Sequence, residues 1–223
     1  MKPEIITLAK QLHLGVLTHN RFNFPDGLSS EDLVLELLRA EVNERDGKAE
    51  AERIRQARLP AYKSFEEFDT NFQKGVKREQ LNTLARLEWV DDVFNLVLIG
   101  PPGTGKTHIA LAAGNLAVRM GYRVFFTNMD SLMHILKTQE ISQKSAARIR
   151  WINKCDLVII DEVGYLPVSK TEANLFFGLI SKLYESASVL ITSNKSFDQW
   201  GDLLGDTVLA SALLDRLTHK CQI

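Results

Sequence analysis

The residues with the clearest chemical spacing are Gly100, Pro101, Pro102, Gly103, Thr104, Gly105, Lys106 and Thr107. They fit G-x-x-x-x-G-K-[ST], the spacing of a phosphate-binding loop. Glycines let the backbone turn tightly, so that main-chain N–H groups point inward at phosphate oxygens. Lys106 is expected to reach the β- and γ-phosphates, and the Thr107 hydroxyl to ligate Mg²⁺. About 55 residues downstream, Asp156-Leu-Val-Ile-Ile-Asp161-Glu162 joins four apolar residues to two acids. Asp161 suits the Mg²⁺ shell, and Glu162 suits a general base acting on the attacking water. A lysine in a glycine-rich turn would explain the first stretch alone. A strand ending in two surface acids would explain the second. Their occurrence in this order favours ATP with Mg²⁺ over either bland reading.

Such residues need elements to hold them. Phe94–Ile99 is a short apolar run with strand character, and His108–Arg119 is alanine-rich and helical. Strand, loop and helix are the context the motif requires, and His108 completes the nucleotide-binding set. The helix N-terminus adds partial positive charge. The unbroken apolar run before Asp161 reads as a fully buried strand. Arg123–Thr127 and Ser188–Asn194 read as further strands. Asn194 either hydrogen-bonds the γ-phosphate or its water, or is a plain turn residue. Asp130 opens a helix through Leu132, Met133, Ile135 and Leu136. Ser169–Glu185 is a helix with Leu175, Phe176, Leu179, Ile180 and Leu183 on its apolar face. Gly164–Pro167 is a loop and Phe197–Gly205 an aromatic, acidic turn region. Ala210–His219 is a helix carrying Asp215 and Arg216, and Lys220–Ile223 begins a final strand.

The N-terminal part reads as helical. Ile5, Leu8, Ala9 and Leu12 recur at helical spacing, and Thr18–Gly27 is a loop. Ser29 caps a helix with Asp32 three residues on, and Leu33, Leu37, Leu38 and Val42 form its stripe. Pro60 stops the pattern. Near its end Arg55 and Arg58 share one face, which suits either solvation with ion pairs or contact with a DNA backbone. Ala61–Asp69 is aromatic-rich, with Ser64 capping a turn with Glu67, and could line an adenine pocket or act as an apolar tether. Val76–Trp89 reads as one helix. Lys137–Lys154 is the most one-sided charge run, carrying Lys137, Lys144, Arg148 and Arg150. A solvated helix face and phosphate-backbone binding account for it equally well.

Length and composition allow one medium domain plus a smaller appendage. Of the 223 residues, 45% are hydrophobic and the net charge is -1, so any nucleic-acid surface must be local. Cys155 and Cys221 are too few for a disulfide framework and are expected to be buried small apolar groups in a reducing cytoplasm. No apolar run approaches membrane length, and Met1–Ile6 lacks the apolar region of a signal peptide.

Gly100–Thr107, Leu157–Glu162, Thr192–Asn194 and Leu213–His219, in that order, resemble the AAA+ ATPases. More narrowly, Leu59–Asp69, Asp161–Pro167 and Asp206–Arg216 resemble the IstB family of insertion-sequence helper ATPases, relatives of the DnaC helicase loaders. The likeness covers nearly the whole chain. It implies an α/β fold: a P-loop NTPase AAA+ core with a parallel sheet sandwiched by helices, preceded by a small all-α N-terminal domain. It divides the chain into a DNA- or partner-binding part, residues 1–59, and an ATPase part, residues 60–223, ending before a complete C-terminal strand or lid. Asn194 takes the sensor-1 position. Arg216 takes that of an arginine finger acting in trans within a homo-oligomer, so Glu162, Asn194 and Arg216 form the catalytic set. Asp130–Lys154 falls where initiator-type members carry a DNA-contacting helical insertion, which favours the DNA reading of the basic run. Tyr62–Phe68 falls where the family contacts adenine. The family continues past a match to Ile223, often with a sensor-2 arginine, and no such residue can be placed in this sequence. The implied partners are duplex DNA and a transposase. A helicase loader is the alternative, and a small-molecule kinase on the same core is disfavoured by the Arg216 helix and the Asp161–Glu162 pair.

Overall fold

The computed structural model describes residues 2–73, 75–165 and 168–222, without the side chain of Gln222. Contacts group the chain into two compact units, Met1–Glu52 and Arg53–Ile223.

The first unit contains α1 (Pro3–Gln11), α2 (Gly15–Thr18) and most of α3 (Ser30–Ala57). As the spacing suggests, the Ser29 hydroxyl accepts the Asp32 N–H at 3.1 Å and starts α3. Ala9, Val16 and Leu17 form a small core, with Ile5, Leu14, Phe22, Leu37 and Ala40 packed on it. The expected stripe is only partly right, because Leu8, Leu12, Leu38 and Val42 are exposed. The buried face is turned toward Glu41, whose carboxylate accepts the Val16 N–H at 3.1 Å in the first turn of α2. That bond satisfies a helix-end donor which α2 cannot pair internally, and it selects the face of α3 that packs. The helix ends at Ala57, because Arg58 adopts a left-handed φ of 57° before Pro60 is reached.

The second unit begins with α4 (Arg78–Leu84) and α5 (Glu88–Asp91). Where one helix was expected over Val76–Trp89, the chain breaks at Leu87, which has φ 58° and is fully buried. The Trp89 indole donates to the Leu84 carbonyl at 3.1 Å, taking an acceptor that a continuing helix would use. Then follow β1 (Asn95–Ile99), α6 (Lys106–Arg119), β2 (Val124–Asn128), α7 (Met129–Thr138), α8 (Gln143–Ile152) and β3 (Leu157–Val163). The unit closes with α9 (Lys170–Leu183), β4 (Ser188–Ser193), a 3₁₀ turn (Phe197–Gln199), α10 (Trp200–Leu204), α11 (Thr207–Thr218) and β5 (Cys221–Gln222). The cap of α7 is Asn128 rather than Asp130; its side chain accepts the Ser131 N–H at 2.9 Å. Phe197–Gly205 is helical rather than a plain turn, because Trp200 is completely buried and needs a rigid backbone behind it. The loop expected at Leu166 and Pro167, and the strand residue Ile223, lie outside the described residues.

The sheet runs in the order β2-β3-β4-β1-β5, with every pairing parallel. Alternation along the strands divides the core. Leu157, Ile159 and Leu190 face α6 together with Phe65, Phe68 and Leu81. Val158, Ile160, Val189 and Ile191 face the other way, onto residues of α7, α9 and α11. Burying one such aliphatic side chain is worth about 1.5–3 kcal/mol. This helix–sheet–helix arrangement is the expected P-loop AAA+ core, preceded by a helical N-terminal region. Among the described residues no helix is long and apolar enough to cross a membrane.

Candidate functional site

Strand β1 ends at Ile99 and delivers the chain into the glycine loop, and Lys106 is the first residue of α6. Gly105 precedes it at φ 84°, a conformation that favours glycine. The position is doubly restricted, since a Cβ there would lie 2.5 Å from Cε2 of Phe68. Phe68 also meets the His108 ring edge-on at 5.4 Å, and His108 Nε2 donates to the Ser64 carbonyl at 2.8 Å. Gln73 donates to the Gly103 carbonyl at 2.8 Å. The aromatic linker therefore braces the loop from outside. Phe65 and Phe68 are buried, whereas Tyr62 is exposed and receives Arg119 over its ring at 4.8 Å.

Lys106 Nζ donates to the carbonyls of Gly100 at 2.7 Å and Pro101 at 2.8 Å. Thr104 donates to the same Pro101 carbonyl at 2.8 Å. Partial burial pushes the Lys106 ammonium below the ordinary lysine range, and the Asp161 charge opposes that shift.

Asp161 lies on β3 and is only 5% exposed. Its carboxylate accepts the Thr107 hydroxyl at 3.0 and 3.1 Å, and the Thr192 hydroxyl as well. Among the described residues no ion pair to Asp161 occurs within 4.0 Å, so a buried carboxylate is held by hydroxyls alone. Such an acid, beside a threonine at the head of a phosphate loop, suits Mg²⁺ arriving with a nucleotide. Mg²⁺ in such sites takes one or two protein ligands and completes its shell with phosphate and water. His, Cys, Asp and Glu form no metal-binding group of three or more among the described residues.

Glu162 departs from ordinary strand geometry. Its φ is 62°, within a register shift between Ile160 and Val163. A non-glycine residue in this region costs on the order of 1–3 kcal/mol and persists only where neighbours enforce it. The Glu162 N–H donates to the Thr192 hydroxyl at 3.0 Å. Gly164 follows at φ 99°, and a Cβ there would lie 2.8 Å from Cγ of Lys195 and 3.3 Å from Oδ1 of Asn194. That Oδ1 is buried and has no hydrogen-bond partner among the described residues. Pro102, Gly103, Gly105, Lys106, Thr107, Glu162, Tyr165, Thr192, Ser193 and Asn194 line one cavity of about 290 Å³. A second cavity, about 140 Å³, shares Glu162 and Tyr165 and reaches Asn128, Asp130 and Glu172.

The structure thus brings the glycine loop, Asp161, Glu162 and Asn194 together, and leaves Arg216 outside their cavity. Arg216 stacks its guanidinium on Phe177 at 4.5 Å and donates to the Ala212 carbonyl at 3.2 Å. It borders an open surface with Thr207, Val208, Ser211 and Asp215. Among the basic candidates, Lys137 is ion-paired with Glu172 at 2.7 Å. Arg55, Arg58, Lys144 and Arg150 are exposed, and Arg148 is half-buried with its Nε unpartnered among the described residues. Burial, and then the charge of Arg148, pushes Arg58 below the usual arginine range. Thr192, Gly164, Gln73 and Tyr165 went unassigned in the sequence. For Thr192 a signal existed: it opens the polar Thr192–Asn194 run that the sequence singles out, and it lies one residue before the end of β4.

Fold and site define an ATP-binding protein of the P-loop AAA+ class. Residues 18–223 match the family described as IstB-like ATP binding protein, and the chain belongs to that family. An insertion sequence IS21 putative ATP-binding protein of Pseudomonas aeruginosa is 42% identical over 192 residues, covering 86% of this chain and 72% of that protein. An insertion sequence IS5376 putative ATP-binding protein of Geobacillus stearothermophilus is 34% identical over 224 residues, covering 98% of this chain and 89% of the other. The crystal structure of the DnaC helicase loader superposes with a TM-score of 0.55 at 22% identity, covering 69% of this chain and 92% of that one.

Proposed function

We propose that this chain hydrolyses ATP as part of a homo-oligomer on duplex DNA, and that it assists the transposase of an insertion sequence by deforming the target. The observation that carries the hydrolytic part is the shared cavity of Lys106, Thr107, Glu162 and Asn194, floored by a buried Asp161 with only hydroxyl partners. Bound Mg²⁺ supplies positive charge to the phosphate oxygens. Thr107 and Asp161 are the residues to hold it. Lys106 exchanges its two carbonyl partners for β- and γ-phosphate oxygens. Glu162 takes a proton from the attacking water, and Asn194 offers its carboxamide to that water or to the γ-phosphate. Arg216 acts on the nucleotide of a neighbouring subunit, where its charge stabilises the departing phosphoryl group. This reading is supported by the place of Arg216 on an open surface outside the lining of the chain's own cavity.

The DNA part rests on family membership and on the basic residues Arg55, Arg58, Lys144, Arg148 and Arg150. Residues 1–59 serve as a DNA- or partner-binding domain and residues 60–223 as the ATPase. Contacts of this kind position the protein on phosphates with little base reading, and bending makes the deformability of DNA matter. Lys106→Ala should abolish nucleotide binding and ATP-dependent assembly on long duplex DNA, seen by electron microscopy. Assembly of that variant with ATP on DNA would overturn the mechanism. Glu162→Gln should bind ATP and stall in the assembled state. Capture of a replicative helicase instead of a transposase would move the chain to the loader class.

A further inference from the structure

We propose that Thr192 is a positioning residue that sets both acids of the site at once. The inference rests on the reading of Asp161 as a metal-shell ligand and Glu162 as the base. The Thr192 hydroxyl has one proton to give and lone pairs to accept with, and both capacities are used. It donates to Asp161 Oδ1 and accepts the Glu162 N–H at 3.0 Å. Thr192 is 1% exposed, so water does not substitute easily for either bond. The Glu162 N–H has left the regular ladder at the register shift. The left-handed φ of 62° therefore depends on a partner reaching from β4. Removing the hydroxyl frees Asp161 to rotate and releases Glu162 toward ordinary strand geometry, which carries its side chain away from the cavity.

The neighbouring Ser193 has a different task. Its hydroxyl donates to the Val163 carbonyl at 2.7 Å and accepts the Lys195 N–H at 3.0 Å. It pins the exit of the bulge without touching either acid. Ser193 is thus an internal control for a structural effect at the same strand end.

The experiment compares Thr192→Val, Thr192→Ser and Ser193→Ala with the unaltered protein and Glu162→Gln, in full-length chain with DNA. Thr192→Val keeps shape and loses the hydroxyl. It should lower kcat about 100-fold, since a displaced general base forfeits a factor of this order. It should also raise the Mg²⁺ concentration for half-maximal binding of a fluorescent ATP analogue about 10-fold, as loss of a partner to a metal ligand does. Affinity for the analogue at saturating Mg²⁺ should change less than 3-fold. Thr192→Ser should restore both turnover and Mg²⁺ dependence, whereas Ser193→Ala should move the melting temperature and leave the Mg²⁺ midpoint in place. If Thr192→Val does not fold, Thr192→Ala carries the same expectation. Normal turnover and an unmoved Mg²⁺ midpoint in the hydroxyl-free variants, with Glu162→Gln still impaired, would overturn this proposal alone. Normal turnover by Glu162→Gln would overturn the base assignment and this proposal with it.

Discussion

Lys137 and Glu172 meet at 2.7 Å and join the C-terminal turn of α7 to the first turn of α9. Glu172 also accepts the N–H and hydroxyl of Ser169 at 2.9 and 2.8 Å, completing a capping box. Lys137 first, and then Ser169, hold its carboxyl at about 2, against 4.5 for an ordinary glutamate. A depressed carboxylate contributes stability above its unfolded value and loses it as pH falls through the folded one. Glu172→Gln should therefore cost about 1 kcal/mol at pH 7, the order expected of a cap plus a surface ion pair. Its denaturant midpoint should converge on that of the unaltered protein as pH falls from about 4.5 toward 2. A gap that stays constant over that window would assign the loss to packing instead.

Gly105→Ala tests the braced loop. The new methyl group meets both a left-handed backbone and the Phe68 ring. The expected cost is about 1–3 kcal/mol in stability, with loss of nucleotide binding by equilibrium titration. Pairing it with Phe68→Leu should recover part of the stability and little of the binding, because the backbone conflict remains. Equal recovery of both would locate the whole problem in the ring.

Arg216→Ala should leave nucleotide affinity within about 3-fold of normal and lower assembled turnover about 1000-fold or more. Mixed with Lys106→Ala, it should regain measurable activity, because one variant supplies an intact phosphate loop and the other an intact guanidinium. A mixture no more active than its components would remove Arg216 from the trans role.

Glu41→Ala should loosen the N-terminal unit by about 1–3 kcal/mol, since the buried Val16 N–H loses its partner and the exposed Arg45 an ion pair worth less. Hydrogen exchange should show the amides of α1 and α2 opening early while those of β3 and β4 keep their protection. Uniform loss of protection would mean that the two units unfold together.

How legible this was depended on range. The glycine loop and the Asp161–Glu162 pair could be read because strand, turn and helix lie next to each other in sequence and carry local signals. The helix cap at Ser29 was equally local. What could not be read arises from contacts between distant segments. Phe68 against Gly105 needs the linker folded back over the loop. The left-handed Glu162 needs a hydroxyl from a strand that returns 30 residues later. Leu87 breaks a helix pattern because burial of its side chain and the Trp89 bond outweigh helical propensity. The side of α3 that packs was misjudged because a buried acid, Glu41, overruled an apolar stripe.

Strand β4 lies between β3, with its acids, and β1, with the phosphate loop. It therefore works as a ruler between the two halves of the cavity. The Thr192 hydroxyl bonds Asp161 and the Glu162 N–H, whereas that of Ser193 bonds the Val163 carbonyl and the Lys195 N–H. A one-residue insertion or deletion within the strand would exchange those roles in a single step, aiming Ser193 at the acids and withdrawing Thr192. A two-residue change would keep parity and shift reach by one strand repeat of about 6.6 Å, too far for any of these hydrogen bonds. Length variation between sheet and helices should thus be tolerated after Lys195 and not within Ser188–Ser193.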